Sequence, residues 1–257
     1  MSIASEISRL QTAKAGLKTA IEGKGVTVSD TATLDAYPAL VESIQTGGSS
    51  GGSDADLISV IERSVTSVNI PNGCTKIGDY AFYYWSALTD VDMPETVTSI
   101  NSSAFQNCSS LALTSLPSGI TSIGDSAFRS CSKLALTSLP SGITSIGDYA
   151  FSGCSKLALT SLPSGVTSIG YNAFYNCTSL ALTSLPSGVT SIGYNAFYNC
   201  TSLTTLTFEG TPKTISSSAF SNNTNLKTIN VPWSSGAVAN APWGATNATI
   251  NYNYTGA

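Results

Sequence analysis

The 257-residue chain is 42% hydrophobic, enough apolar surface for a continuous core in one elongated domain plus a small appendage, so a disordered chain is excluded. Only 10% of its residues are charged, the formal net charge is -4 and no basic cluster occurs, which excludes a nucleic-acid partner, whose phosphates need several convergent Lys or Arg. A surface with so few charges has to be made from Ser, Thr, Asn, Gly and Tyr.

The first ten residues place Glu6 and Arg9 where a secretory signal would need an unbroken apolar core, and no apolar run reaches the length of a membrane span. Neither membrane insertion nor export by the usual route is therefore expected. Without a signal peptide, the six cysteines are expected to be made in a reducing place and to stay as free thiols.

Ile3, Ile7, Leu10, Leu17 and Ile21 fall at alternating spacings of four and three, with Lys14 at the one missing position, and Gly23 and Gly25 stop the pattern. This heptad seam predicts a helix of about five turns. A second, shorter helix is expected over residues 33–44, its face made by Leu34, Tyr37, Leu40, Val41 and Ile44 and weakened by Pro38. The seam either packs on that second helix or finds further copies of itself, and the shortness of the second helix favours a homotrimer. Residues 1–45 are thus expected to form a small α-helical head for assembly, and residues 46–56, TGGSSGGSDAD, a flexible linker.

A fixed period begins beyond the linker. Phe82, Phe105, Phe128, Phe151, Phe174, Phe197 and Phe220 lie 23 residues apart, and Ile77, Ile100, Ile123, Ile146, Ile169, Ile192 and Ile215 keep the same interval. Between Leu111 and Ser202 the unit repeats four times as L-A-L-T-S-L-P-S-G-[IV]-T-S-I-G-x-x-A-F-x-x-C-x-x, and its last two copies are identical. Such a period predicts a solenoid, because one unit cannot bury its own apolar face. Seven rungs are expected over residues 57–231, each a strand stopped by its Pro, a P-S-G turn, an extended T-S-I and a short helical turn over G-x-x-A-F-x-x-C. At about 4.8 Å per rung the rod is on the order of 35 Å long, with the Phe positions as a buried ladder.

The flanking rungs carry apolar residues three and five after their first Leu, whereas the four central ones, LALTSLP, carry them two and five after it. A local bulge or a changed strand orientation is expected there. Residues 232–257 read as an end cap, in which Trp233 and Trp243 cover the last rung and residues 248–254 form a closing edge strand.

The markers L-x-x-[ILV]-x-[LMV]-P and T-S-I-G-x-x-A-F-x-x-C at this period resemble the BspA-like class of leucine-rich repeats, over residues 57–233. The resemblance implies a curved leucine-rich-repeat solenoid used for binding, as in bacterial surface adhesins, with no catalytic residues to carry over. The segments ISRLQTAKAGLKTAIEGKGVTV and VPW…APWGATNATINYNYT are similar to parts of tail-associated proteins of bacteriophages. This second resemblance implies a virion tail protein, with the head contacting other tail proteins and the solenoid meeting a host cell-surface glycan or protein. The alternative is a cellular adhesin or interaction scaffold at the cell surface.

Cys108, Cys131, Cys154, Cys177 and Cys200 share one repeat position and read as buried core thiols, since the chain has no His and no close Cys pair for a metal. A Ser or Cys nucleophile lacks a His, and Asp125 and Asp148 are repeated surface positions rather than an acid–base pair, so no enzyme, metal or cofactor site is expected. The informative positions are the variable ones of the fixed unit. Tyr171 and Tyr175 recur as Tyr194 and Tyr198, and Tyr80, Tyr83, Tyr84, Trp85, Arg129 and Tyr149 occupy comparable places. Between Leu157 and Phe208 no residue is charged, so Tyr171, Tyr175, Tyr194 and Tyr198 sit among Asn, Ser, Thr and Gly, a composition suited to recognition. The alternative is that exposed Tyr only stack along the rod.

Overall fold

The computed structural model describes residues 65–70 and 72–256, so the expected head and linker lie outside the described residues. Thirteen short strands follow in chain order: β1 (Ser67–Asn69), β2 (Lys76–Ile77), β3 (Asp90–Asp92), β4 (Ser99–Ile100), β5 (Ser122–Ile123), β6 (Ser145–Ile146), β7 (Ser168–Ile169), β8 (Ser184–Leu185), β9 (Ser191–Ile192), β10 (Thr205–Phe208), β11 (Thr214–Ile215), β12 (Thr228–Asn230) and β13 (Thr249–Asn251). All pair in parallel, and from β1 to β12 each partner lies one 23-residue period away, as in Ile77 opposite Ile100. The described residues therefore form the repeat solenoid that the period demanded: each rung buries its apolar side only against its neighbours.

Each rung has three sides. The Leu side carries β1, β3, β8, β10, β12 and β13, the T-S-I side carries β2, β4, β5, β6, β7, β9 and β11, and the A-F side is built of turns. The T-S-I ladder is continuous except between β5 and β6, which lie within identical GITSIGD segments, so the local sequence does not account for the break. The core is one column of Phe, Ala, Cys, Leu and Ile side chains, with Phe82 to Phe220 stacked at ring separations of 5.1 to 5.6 Å. Burying one such Phe is worth about 1.5–3 kcal/mol.

Three expectations are corrected. First, the A-F side holds no helical turn, and among the described residues no helix occurs. Within G-x-x-A-F-x-x-C, the N–H groups of Ala127 and Cys131 donate to the carbonyls of Gly124 and Phe128 and close four-residue turns, while Ser126 and Ser130 sit at φ 57° and 62°. A left-handed residue in every turn reverses the backbone twist that a helix would need to continue. Freed from a helix, the N–H groups of Ser126, Phe128 and Ser130 donate to the carbonyls of Asp148, Ala150 and Ser152 on the next rung.

Second, the central Leu segments neither bulge within a strand nor reverse; between β3 and β8 the Leu side holds no strand. Placing the second Leu two residues after the first turns Leu113, Leu136 and Leu159 inward, and their carbonyls accept from Ala135, Ala158 and Ala181, one residue short of the period. Thr183 N donates to Thr160 O at the full period, so the bonds alternate in offset and no regular ladder forms. Third, the seven Phe rungs are followed by an atypical eighth turn. Trp243 O accepts from Phe220 N, continuing the turn column, and β13 pairs with β12 at 21 residues instead of 23. As expected, Trp233 and Trp243 are buried over Phe208 and the last rung, and β13 closes the Leu side.

Candidate functional site

The turn side presents four outward positions per rung, two before Ala-Phe and two after. Their backbone is set by hydrogen bonds rather than by the side chains they carry. The second and fourth positions adopt positive φ in rung after rung: Tyr80, Ser103, Ser126, Tyr149, Asn172 and Asn195, then Tyr84, Asn107, Ser130, Gly153, Asn176, Asn199 and Asn222. Asn and Gly suit this region, and a bulky Tyr there is uncommon and costs free energy. Close rung stacking also fixes the preceding Gly, since a Cβ on Gly193 would come within 2.8 Å of Gly170 C and Tyr171 N.

Several polar residues of this edge are occupied by the fold. Asp79, Asp125 and Asp148 each use Oδ1 to accept the backbone N–H of the equivalent residue one rung on, at 2.7 to 2.9 Å. Asn199 donates to Asn176 and Asn222 to Asn199, an amide ladder along the fourth position. The repeated cysteines are free thiols, each Sγ donating to the carbonyl of the Phe of the rung before at 2.9 to 3.0 Å, and Asn223 takes over that bond in the last rung. Burial pushes the Cys131, Cys154, Cys177 and Cys200 thiols well above their ordinary range, which keeps them protonated and unreactive.

The aromatic residues divide by exposure. Tyr80, Tyr84, Tyr171 and Tyr194 are 60%, 52%, 56% and 54% exposed, the large apolar side chains most open to solvent among the described residues. Tyr175 and Tyr198 are half-buried and stacked on each other at 4.7 Å, 6° from parallel, so these two serve largely as packing along the rod. Trp85 packs against the core, its ring edge-on to Phe82 at 5.1 Å. Tyr83 stands edge-on to both Tyr80 and Tyr84, at 5.5 and 4.5 Å, forming a cluster on the first rung. Partial burial and the neighbouring Tyr84 push the Tyr83 phenol above its usual value, and the Arg129 charge opposes them. The Arg129 guanidinium lies 4.9 Å from the centroid of the Tyr149 ring on the following rung, a cation–π contact.

The residues singled out in the sequence therefore share one edge but not one patch. Tyr80, Tyr83 and Tyr84 gather at the first rung, Arg129 and Tyr149 at the third and fourth, and Tyr171 and Tyr194 project from the fifth and sixth. Sequence reasoning missed that the edge is made of left-handed turns. Its signal was available in the recurrence of Asn, Ser and Gly at the two positive-φ positions.

The BspA type leucine-rich-repeat region matches residues 61–181 and 144–241, in six copies. Among solved structures, a leucine-rich cell surface protein from Faecalibacterium prausnitzii is 30% identical with a TM-score of 0.53, over 67% of this chain and 57% of that one. The T. pallidum leucine-rich-repeat protein TpLRR is 33% identical with a TM-score of 0.49, over 55% of this chain and 68% of that one. A leucine-rich-repeat protein from Bacteroides ovatus is 24% identical with a TM-score of 0.43, over 74% and 61%. The chain thus spans little more than half of the Faecalibacterium protein. No curated protein matches. With the period, the Phe–Cys core column and this match across most of its length, the chain belongs to the BspA-type leucine-rich-repeat family.

Proposed function

We propose that the protein is a non-enzymatic recognition module of the surface-adhesin kind, whose turn edge contacts a cell-surface glycan or protein. The observation that carries this reading is the exposure of Tyr80, Tyr84, Tyr171 and Tyr194 along one edge that they share with Asn, Ser and a few charged side chains, Asp79, Asp125, Asp148 and Arg129. Exposed phenols combine an apolar face with a hydrogen-bonding tip and lose little entropy on binding. The cell-surface setting is supported by the family and by the description of the Faecalibacterium relative as a cell surface protein. The virion-tail reading has only the resemblance of the two terminal segments behind it and is the weaker of the two. Assembly through residues 1–45, in a homotrimer, would raise a weak single-site affinity by effective concentration in either setting.

The test is the variant carrying Tyr80→Ser, Tyr84→Ser, Tyr171→Ser and Tyr194→Ser, compared with the parent on immobilised bacterial and host-cell surface glycans and on whole cells. The parent is expected to bind and the variant to lose binding with an unchanged circular dichroism spectrum. Equal binding by the folded variant overturns the assignment of the edge.

A further inference from the structure

Positive charge on this protein is unevenly placed. Of the cationic side chains among the described residues, Arg129, Lys133 and Lys156 fall in two adjacent rungs, the last two at equivalent exposed positions, while the stretch Leu157 to Phe208 beyond them carries no charge. Arg129 is exposed and forms no ion pair with any carboxylate of the described residues. The two acids of those rungs, Asp125 and Asp148, use an oxygen each on the backbone N–H of the next rung. The guanidinium is instead laid against a phenol, Tyr149, which can hold its plane but cannot neutralise it.

Tyr149 itself is placed at a cost. Its φ is 57°, at a repeat position filled by Ser in the two rungs before and by Asn in the two after. The fold therefore does not require Tyr there, and a bulky side chain in that region is strained. A strained Tyr beside an Arg that has no ion-pair partner among the described residues, with open Tyr171 and Tyr194 on the two rungs beyond, is an arrangement for holding an anion next to a ring-shaped apolar surface. Tyr171 lies one rung beyond Tyr149, and Tyr194 two, so at about 4.8 Å per rung they stand within the length of a short oligosaccharide.

We infer that Arg129, oriented by Tyr149, is the charge-reading point of the edge and selects acidic glycans, its guanidinium pairing with a carboxylate or phosphate while neighbouring Tyr faces take the sugar. The planar fork of Arg matches either oxyanion with two parallel hydrogen bonds. This assignment rests on the turn edge being the binding surface, and the experiment separates the two.

The full chain is titrated with a galacturonic acid tetrasaccharide, a glycerol-phosphate tetramer and the uncharged galactose tetrasaccharide, each with the parent, with Arg129→Gln, with Arg129→Lys and with the four-Tyr variant. The parent is expected to bind at least one acidic probe about tenfold or more tighter than the neutral one, and which acidic probe wins distinguishes a carboxylated from a phosphorylated glycan. Arg129→Gln should bring the affinity for the acidic probe down to that for the neutral one, and Arg129→Lys should restore only part of the difference, because it keeps charge but not the fork. Equal affinity of the parent for acidic and neutral probes, no binding of any of the three, or an acidic preference that survives Arg129→Gln overturns the inference. Binding that survives the four-Tyr variant but falls with Arg129→Gln keeps the charge reading and overturns the Tyr edge.

Discussion

The inward and outward positions of one turn obey different rules, although they alternate on the same eight residues. In Gly147 to Cys154 the inward Ala150, Phe151 and Cys154 are fully buried and recur through the regular rungs, because a Phe ring stacked at 5.6 Å on each side leaves no freedom of size. Of the positions outside the core column, Tyr149, Ser152 and Gly153 differ from their equivalents on both sides, Ser126, Arg129 and Ser130 before and Asn172, Tyr175 and Asn176 after, while Asp148 repeats Asp125 and gives way to Tyr171; Ser152 is itself buried. Packing selects the first set. Backbone geometry tolerates many residues in the second, so what stands there reflects surface use.

The sharpest contrast comes from truncating an inward ring. Phe151→Ala should cost about 3–5 kcal/mol, read as a lowered denaturant midpoint, because both stacked neighbours lose their contact and the rungs cannot close the gap. A cost comparable to that of an outward substitution would break the distinction. Next in size, Gly193→Ala is expected to cost about 1–3 kcal/mol, since the new methyl meets the backbone of the preceding rung 2.8 Å away and neither rung can yield alone.

The buried thiols give a smaller, pH-dependent effect. Their folded-state values are raised, so the folded chain holds protons that the unfolded chain releases. The stability they contribute is complete below the unfolded thiol value of about 8.5 and is lost progressively as pH rises past it. Urea unfolding from pH 7 to 10 should show that decline, and it should shrink in a Cys154→Ala, Cys177→Ala variant after correction for its lower baseline.

Much of this contrast was legible in the sequence. The 23-residue recurrence of Ala-Phe and Ile placed the core column, and the absence of His left the repeated Cys as packing, which the Sγ bonds to Phe carbonyls explain. The low charge content has a structural counterpart. Columns of Thr and Ser hydroxyls donate to carbonyls one rung back, as Thr98 does to Thr75 and Ser155 to Ser132, so the neutral surface holds the rungs together. The turns were misread because the three-residue spacing of Phe128, Cys131 and Leu134 is the same in a helix and in successive four-residue turns; only the sign of φ at Ser126 and Ser130 separates them. Exposure within the aromatic set was not legible either. Whether Tyr175 stacks on Tyr198 while Tyr171 stays open depends on which side of a left-handed turn each leaves, and residue spacing does not carry that information.

The central claim is that the tyrosines at left-handed positions are kept for the surface and not for the fold, and Tyr80→Asn, Tyr84→Asn and Tyr149→Asn in one chain test it most directly. Asn adopts that conformation more readily, so thermal unfolding should rise by the equivalent of about 1 kcal/mol or more in total. Binding to the acidic and neutral tetrasaccharides, measured on the same preparation, should fall. A variant that melts lower than the parent and binds as well would contradict the account, since those side chains would then serve the solenoid and not a ligand.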